Sequence, residues 1–258
     1  MKVVKFGGSS LATGEQFEKV INIIEDDSER KVIVTSAPGK RYHGDTKVTD
    51  LLIEYANEVI ENEDHTNIIK EIISRYHEIS DYFKLDDSVI KLLKDKLVNL
   101  AKTDFSDNEH LMAAFKAHGE FLNAILLNEV LNAQGIKSIF VDPKKAGIIV
   151  HGKPNDADIS PDTYRNLENF DIPEDSRLVF PGFFGYSQDG SIFTFSRGGS
   201  DITGAMLSRG LHADLYENFT DVDAIYVANN HVVKHPQAIK KMSYREMREL
   251  SYAGFSVF

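Results

Sequence analysis

The sequence predicts an α/β fold, a three-layer αβα sandwich with a largely parallel central sheet. Two observations predict it. Short β-branched runs alternate with segments of helical periodicity in the first and last thirds of the chain. Hydrophobic residues make up 42% of the 258 residues and are spread evenly, so a single domain is expected to bury one continuous core. In such a fold, ligands gather at the carboxyl ends of the strands.

The chain begins with a strand–helix–strand unit. Strands are predicted at 3–6 and 32–35, and apolar residues at i, i+3, i+4 and i+7 predict a helix between them. Thr13 and Gln16 form a capping box at the start of this helix. A turn-rich loop is expected to follow at 37–47.

A long helical segment occupies the middle of the chain. From 49 to 134 the periodicity is helical almost throughout, and Gly135 marks the end of the segment. Alternation then resumes. We predict strands at 136–141, 147–150, 178–180, 191–195, 215–218 and 224–227, and helices at 201–211 and from 244 to about 253.

Composition narrows the classes of function. There are 29 Lys and Arg against 40 Asp and Glu, a formal net charge of −11 without any basic run, which disfavours nucleic-acid binding. Cysteine is absent, which removes disulfides, thiolate zinc sites and cysteine nucleophiles. The nine histidines show no metal-binding spacing, so no protein-bound metal site is predicted. Without a signal segment or a membrane-spanning apolar window, the chain is expected to be cytoplasmic and to bind no membrane.

The last residues form an apolar run at 253–258 with no polar tail or turn. Because chain ends are usually exposed and polar, this ending predicts a chain truncated at its C-terminal end. A buried C-terminal strand is the alternative.

The first glycine turn has the parts of a phosphate cradle. Lys5 ends the first strand, Gly7 and Gly8 follow, and Ser9 and Ser10 lead toward a helix. Glycine leaves backbone N–H groups free to face an anion, and the lysine adds a cation. A plain tight turn is the alternative.

Two better-known phosphate signatures do not apply. The run 147–153 has P-loop spacing, but Pro154 replaces the Ser or Thr that would hold Mg²⁺, and the apolar interior is typical of a strand. The Rossmann G-x-G-x-x-G motif and the H-R-D and D-F-G motifs of protein kinases are absent from the sequence.

A second glycine turn, at 196–204, combines glycines with a cation as the first one does. It follows a predicted strand and opens a helix, Arg197 can fork onto a carboxylate or phosphate, and Ser200 or Asp201 can cap the helix. Two such turns in an acidic protein favour anion binding over two ordinary capped turns.

Three further positions have a functional and a structural interpretation. Glu120 lies in a predicted helix among apolar neighbours, where a carboxylate could bind a substrate ammonium or could be an exposed helix charge. The pair Thr220-Asp221 and Tyr226 could line an adenine site, with turn chemistry and packing as the alternative.

Six segments together carry a family resemblance. They are Lys5-Phe6-Gly7-Gly8-Ser9-Ser10, Val34-Thr35-Ser36-Ala37-Pro38-Gly39, Thr49-Asp50-Leu51-Leu52, His118-Gly119-Glu120-Phe121-Leu122, Arg197-Gly198-Gly199-Ser200-Asp201 and Phe219-Thr220-Asp221-Val222. In order and spacing, the chain resembles the catalytic domain of aspartate kinases, within the amino acid kinase superfamily. The resemblance implies the amino acid kinase fold over 1–258, truncated at the C-terminal end and without the ACT domains that bind feedback amino acids.

The resemblance also implies an activity and a set of site residues. The activity is ATP-dependent phosphorylation of the β-carboxylate of L-aspartate to 4-phospho-L-aspartate, the first step toward lysine, threonine and methionine. By position in the family motifs, the catalytic residues are Lys5 and Asp201, and the substrate-binding residues are Ser36, Thr49, Glu120 and Arg197. The nucleotide-binding residues are Lys5, Gly7, Gly8, Ser9, Ser200, Thr220, Asp221 and Tyr226.

The chemistry agrees with this assignment. A carboxylate is already a competent nucleophile at neutral pH, so the enzyme needs to bring two anions in line and cancel their repulsion. Mg²⁺ is expected to enter with ATP and to be held mainly by its phosphates. The expected partners are these small molecules, with a homo-oligomer as a further possibility.

Two runs depart from the family pattern. The usual Thr-Asp-Val-Pro-Gly-Ile-Tyr is Thr-Asp-Val-Asp-Ala-Ile-Tyr at 220–226, and the usual Asp-Pro-Arg is Asn-Asn-His at 229–231. Contacts of that Arg are therefore not carried over to this chain. Two alternatives stay open: another superfamily kinase, acting on N-acetylglutamate, glutamate or a nucleotide monophosphate, and a non-catalytic fragment that binds an amino acid or a nucleotide.

Overall fold

The computed structural model describes residues 1–196, 198–220, 225–227, 233–234 and 236–252. The chain divides into two units, Met1–Phe219 and Thr220–Phe258. In chain order the strands are β1 (Lys2–Phe6), β2 (Arg30–Thr35), β3 (Ser138–Phe140), β4 (Val150–Lys153), β5 (Asp156–Ile159), β6 (Arg177–Pro181), β7 (Phe184–Tyr186), β8 (Ile192–Thr194) and β9 (Leu215–Phe219). The helices are α1 (Gly14–Glu25), α2 (Val48–Ile60), α3 (Thr66–Tyr82), α4 (Asp87–Leu100), α5 (Asn108–Ala133), α6 (Pro161–Glu168), α7 (Gly199–Gly210) and α8 (Tyr244–Tyr252), with a 3₁₀ helix at Gly8–Leu11.

Five parallel strands form the central sheet of the first unit, in the order β3-β6-β2-β1-β9. Successive side chains of a strand point to opposite faces. On β1, Val4 and Phe6 join the apolar cluster that includes α1 to α5, whereas Val3 joins the cluster that includes α6 and α7. Helices therefore cover both faces, and the predicted three-layer α/β fold with a parallel sheet is confirmed.

The helix boundaries follow local capping chemistry. Thr13 accepts a hydrogen bond from the backbone N–H of Gln16 at 3.4 Å, so the predicted cap of α1 is present. The side chain of Asp107 caps α5 in the same way, accepting from the backbone N–H of His110 at 2.9 Å. Gly135 follows the end of α5 with φ +83°, a left-handed conformation that suits glycine.

The predicted helical segment 49–134 consists of α2, α3, α4 and α5. Helix α5 is 26 residues long and runs through the middle of this layer. Buried apolar side chains cover most of its circumference, among them Phe115, Leu122, Leu126 and Leu131. A helix that is apolar on nearly all sides belongs in a protein interior. Helix α5 also carries Glu120, one of the candidate site residues.

Part of the strand prediction after α5 was wrong. Backbone hydrogen bonds close a turn through Gly147 and Ile148, and Gly147 has φ +68°, so the predicted strand 147–150 starts only at Val150. The predicted strand 136–141 is shorter because the N–H of Ile136 donates to Leu131 O at the end of α5. Strands β5 and β7 and helix α6 were not predicted; β5 and β7 pair as antiparallel hairpins with β4 and β8.

In its described residues, the second unit contains α8 and an antiparallel bridge. Tyr226 is paired with Ala238, and the side chain of Ser243 accepts from the Glu246 N–H while Glu246 accepts from the Ser243 N–H. This reciprocal capping box explains why α8 begins at Tyr244, as predicted. Ala224, in the predicted strand 224–227, and Ala253, at the predicted end of α8, lie outside the described residues. Over the part of the chain that is described, no helix is long and apolar enough to cross a bilayer.

Candidate active site

The candidate site lies at the carboxyl ends of the parallel strands, where the loops that follow them interlock. The N–H of Gly7, after β1, donates to Phe219 O at 3.1 Å. The N–H of Ser36, after β2, donates to Phe6 O at 3.3 Å, and the N–H of Gly182, after β6, donates to Thr35 O at 2.9 Å. These bonds fix the loops relative to the sheet.

The first glycine turn packs backbone against backbone. The Gly39 N–H donates to Gly8 O at 2.8 Å, and a Cβ on Gly39 would lie 2.7 Å from Gly8 C and 2.8 Å from Ser9 N. A Cβ on Gly8 would lie 2.8 Å from Ala37 O. Since real Cβ contacts are not that short, this approach requires glycine at both positions. The turn therefore presents backbone rather than side chains to a ligand.

Lys5 and Asp201 form the charged centre of the site. Lys5 is 7% exposed, and its Nζ lies 2.9 Å from Asp201 Oδ1. Lys5 reaches this position because it is on the face of β1 that α7 covers, and Asp201 is in the first turn of α7. A Cβ on Gly7 would lie 3.8 Å from Lys5 Nζ, so the first glycine of the turn is beside the ammonium.

The second glycine turn places the start of α7 against the loop after β6. Gly198 is the N-cap of α7, with φ +71°. Ser200 is buried, and a Cβ on Gly182 would lie 2.7 Å from its Cβ. The positive end of the helix dipole therefore lies beside Asp201 and its partner Lys5. Arg197, the predicted α-carboxylate ligand, lies outside the described residues.

Glu120 is a buried carboxyl group on α5. It is 6% exposed, and its Oε2 has no hydrogen-bond partner within the described residues. Burial raises the pKa of Glu120 from 4.5 to about 8, and hydrogen bonds from the backbone of Ala37 and Glu120 oppose this shift without offsetting it. A group of this kind suits a ligand that brings its own positive charge, because the ligand would satisfy the orphaned oxygen.

Ala37 connects Glu120 with the glycine turn. A Cβ on Gly119 would lie 2.7 Å from the Ala37 Cβ, so α5 approaches this loop closely only because Gly119 has no side chain. Asn123, one turn after Gly119, donates to Ser36 O at 2.7 Å. The structure thus brings Glu120, Ser36 and the Gly8 turn together around Ala37.

The loop from Ala37 to Lys47 is held by a buried ion pair. Arg75 on α3 donates from both terminal nitrogens to Asp45, at 2.6 and 2.7 Å, and both side chains are buried. Arg41 donates to the same carboxylate at 3.0 Å. This anchor fixes the loop between Ser36 and Thr49, and Thr49 lies in the first turn of α2.

Sequence reasoning missed four residues that shape the site. They are Asp45, Arg75, Asn123 and Asn218, whose side-chain amide donates to Asp201 Oδ1 at 2.9 Å. A signal for Arg75 was available, since it falls on the apolar stripe of α3 with Ile68, Ile72 and Ile79, and a charge on such a stripe needs a buried partner. The others carry no local signal, because their roles come from contacts with distant segments.

The predicted nucleotide residues divide between the two units. Gly7, Gly8, Ser9 and Ser200 belong to the first unit, and Thr220 and Tyr226 belong to the second. Asp221 lies outside the described residues. Within the described part of the chain, no group of three or more His, Cys, Asp or Glu side chains is arranged to hold a metal ion.

Comparison with known proteins gives consistent matches over the whole chain. The sequence model of the Amino acid kinase family matches residues 1–258. Aspartokinase 3 of Bacillus subtilis is 49% identical over 258 residues, which are 100% of this chain and 57% of that protein. A bifunctional aspartokinase/homoserine dehydrogenase of Buchnera aphidicola is 28% identical over 275 residues, covering 100% of this chain and 32% of that protein.

Solved structures show the same fold. The crystal structure of Clostridium acetobutylicum aspartate kinase matches with a TM-score of 0.82 and 37% identity, over 100% of this chain and 56% of that one. E. coli aspartokinase III in complex with aspartate and ADP matches with a TM-score of 0.81 and 23% identity, over 98% and 56%. The chain spans 57% of the Bacillus relative and 56% of the Clostridium one. On the family match over its full length, the chain belongs to the amino acid kinase family.

Proposed function

We propose that residues 1–258 act as the catalytic domain of an aspartate kinase, which transfers the γ-phosphoryl group of ATP to the β-carboxylate of L-aspartate. The observation that carries the proposal is Glu120, a buried carboxyl group with one unpaired oxygen next to the glycine turn. The 49% identity with Bacillus subtilis aspartokinase 3 over the whole chain supports it.

On the amino acid side, Glu120 binds the α-ammonium of aspartate. Arg197 binds the α-carboxylate, for which its planar pair of donors is suited. Ser36 and Thr49, at the two ends of the anchored loop, help to hold the substrate. A free ammonium needs a carboxylate partner, whereas an acylated amine does not, so Glu120 favours aspartate over N-acetylglutamate.

On the phosphoryl side, Lys5 neutralises charge on the group in transfer. The turn formed by Gly7, Gly8 and Ser9 lines the phosphate site: the N–H groups of Gly8 and Ser9 face the phosphate oxygens, since the N–H of Gly7 donates to Phe219 O. Ser200 and Asp201 at the start of α7 orient Lys5 and the phosphates. Thr220, Asp221 and Tyr226 flank the nucleotide. The 2.9 Å Lys5–Asp201 pair and the glycine backbone contacts support this side of the proposal.

The arrangement accounts for the reaction without a general base. The attacking β-carboxylate is ionised at neutral pH, so the protein's task is to align two anions and stabilise the charge between them. Each 1.4 kcal/mol or so of preferential stabilisation of the transition state raises the rate about tenfold. Mg²⁺, bound to the phosphates of ATP, would lower their charge further.

Trapping of the acyl phosphate tests the proposal. The purified chain is incubated with ATP, Mg²⁺ and aspartate, and hydroxylamine converts 4-phospho-L-aspartate to a coloured hydroxamate. Parallel reactions contain glutamate, N-acetylglutamate or a nucleoside monophosphate, with ADP formation as the common readout. The proposal expects turnover with aspartate alone among these acceptors.

Glu120→Gln provides the residue-level test. We expect the KM for aspartate to rise at least about tenfold while the KM for ATP stays within about twofold, because a charge-assisted hydrogen bond to the ammonium is lost. Glu71→Gln, an exposed carboxylate on α3, is the matched control. An unchanged KM for aspartate would favour an acylated substrate. Calorimetric heat of binding for ATP and aspartate without any hydroxamate would show a binding fragment rather than an enzyme.

A further inference from the structure

We propose that Asn218 is a positioning residue for phosphoryl transfer, which keeps Asp201 in place while Lys5 engages the phosphoryl group. This inference rests on the proposed function. It concerns a residue that neither the glycine motifs nor the family comparison assigns.

Asn218 and Lys5 are neighbours across two strands. In the parallel pairing of β1 with β9, Lys5 is opposite Asn218, so both side chains leave the sheet on the face that α7 covers. Asn218 Nδ2 donates to Asp201 Oδ1 at 2.9 Å, and Lys5 Nζ lies 2.9 Å from the same oxygen. One carboxylate oxygen therefore has two donors, one charged and one neutral.

The orientation of the Asn218 amide is fixed by this contact. The opposite orientation would place the amide oxygen against the Asp201 carboxylate, two acceptors facing each other. In the orientation found, Asn218 Oδ1 is buried and has no hydrogen-bond partner within the described residues. A buried unpaired oxygen opposes folding, so the amide is not explained by stability alone.

The shared oxygen gives Asn218 a role in the reaction. Lys5 has to direct its ammonium toward phosphoryl oxygens as negative charge develops there, and its bond to Asp201 competes with that task. A second donor keeps Asp201 hydrogen-bonded when Lys5 turns to the phosphate. Because the amide is neutral, it does this without adding a charge that would repel or trap the substrate anions.

Three substitutions at one position test the inference. Asn218→Leu removes the donor at similar volume, Asn218→Asp replaces it with a second carboxylate, and Asn218→His restores an N–H donor. We expect the Leu variant to lower kcat about tenfold and the Asp variant to lower it more, with the KM for aspartate within about twofold in both. The His variant should recover part of the loss. Tyr216→Phe is the control, since Tyr216 is on the same face of β9 and its buried hydroxyl has no hydrogen-bond partner in the described part of the chain.

A double-mutant cycle separates positioning from packing. If Asn218 acts through Asp201, Asn218→Leu should change kcat less than about twofold in an Asp201→Asn background. Equal losses in both backgrounds, or an unchanged kcat in a folded Leu variant, would overturn the inference. Thermal unfolding monitors folding, and the nearly isosteric Asp variant carries the test if the Leu variant does not fold. Failure of the parent chain to turn over aspartate would instead count against the proposed function.

Discussion

At the scale of single residues, the buried carboxyl group of Glu120 makes the stability of the folded chain depend on pH. Its carboxyl group holds a proton with a pKa of about 8 in the folded chain, against an ordinary value of 4.5. The folded state therefore binds that proton more tightly than the unfolded state, so the stability it provides is complete below pH 4.5 and is lost as the pH rises toward 8. In the ligand-free chain an ionised Glu120 is a buried charge without a partner.

Glu120→Gln is accordingly expected to stabilise the ligand-free chain at alkaline pH. Each unit of pKa shift corresponds to about 1.4 kcal/mol, so we expect a gain of about 2 to 4 kcal/mol in the free energy of unfolding at pH 8 and less than about 1 kcal/mol at pH 5. Urea unfolding of both proteins at the two pH values measures the difference. A gain that is equal at both pH values would mean that Glu120 is not protonated in the folded chain.

The same carboxyl group should release its proton when aspartate binds. At pH 7 a group with a pKa of about 8 is mostly protonated, and the substrate ammonium favours the ionised form. We expect release of nearly one proton per aspartate bound at pH 7 and much less at pH 9. Calorimetry in buffers of different ionisation enthalpy measures this number. Binding heats at pH 7 that do not depend on the buffer would contradict the prediction.

At the scale of elements, the distance between two loops depends on two glycines. Gly39 and Gly8 pack so closely that a Cβ on Gly39 would meet backbone atoms of Gly8 and Ser9 at 2.7 to 2.8 Å. Backbone cannot move aside as a flexible side chain can. Gly39→Ala must therefore separate the loop after β2 from the candidate phosphate-binding turn.

We expect Gly39→Ala to lower kcat/KM about 10- to 100-fold, since a displacement of about 1 Å in a reacting group has this effect. Gly44→Ala is the control in the same loop: a Cβ there meets nothing within 4 Å, and its φ of +93° adds only backbone strain. The control should lose stability but keep its rate constants. Equal rate losses in both variants would show that general loosening of the loop, rather than the Gly8 contact, limits the reaction.

Local sequence signals predicted the elements that have them. Strands β1 and β2 contain β-branched runs, and helix α1 starts with a capping box. Strands β6 and β9 have one and no β-branched residue, and their prediction depended on the alternation of strands with helices along the chain. Hairpin β4–β5 was missed because each strand has four residues and is largely exposed: β4 has no alternation, and the alternation of β5 is too short to distinguish a strand from a loop. Helix α6 buries only Thr163 and Leu167, although Ser160 followed by Pro161 was an available start signal.

The residues of the candidate site also fall into those that local motifs predict and those that they do not. Its glycine turns and Glu120 could be picked out because local motifs contain them, and their roles stay predictions. Asn218 could not, since what it does depends on a partner 17 positions away in the chain. For Arg75 the apolar stripe of α3 indicated a buried charge but not its partner Asp45, 30 positions away. Pairing of this kind is a property of the tertiary fold, and a single sequence does not display it.

At the scale of the whole molecule, buried ionisable groups set opposing pH limits on stability. The Arg75 and Arg41 side chains hold the pKa of Asp45 well below its usual range, so stability from Asp45 is lost as the pH falls. Burial lowers the pKa of His118 from 6.5 to about 4, so protonation of His118 also opposes folding in acid. Glu120 acts in the opposite direction above pH 4.5.

These opposing slopes predict a stability maximum near pH 5 to 6, where the acid and alkaline limbs of the curve meet. Between pH 5.5 and pH 3 we expect a loss of about 2 to 4 kcal/mol, because Asp45 and His118 take up protons on unfolding while 29 Lys and Arg stay positive. Between pH 5.5 and pH 8 ionisation of Glu120 should lower stability again.

Urea midpoints at pH 3, 5.5 and 8 test this stability curve, and one variant tests each of its two limbs. Arg75→Met should lower the free energy of unfolding at pH 5.5 and flatten the acid limb, because removing one partner of a buried ion pair leaves the other without its partner. Glu120→Gln should flatten only the alkaline limb. A curve that rises or falls in one direction from pH 3 to 8 would mean that surface charge, and not these three interior groups, governs the response to pH.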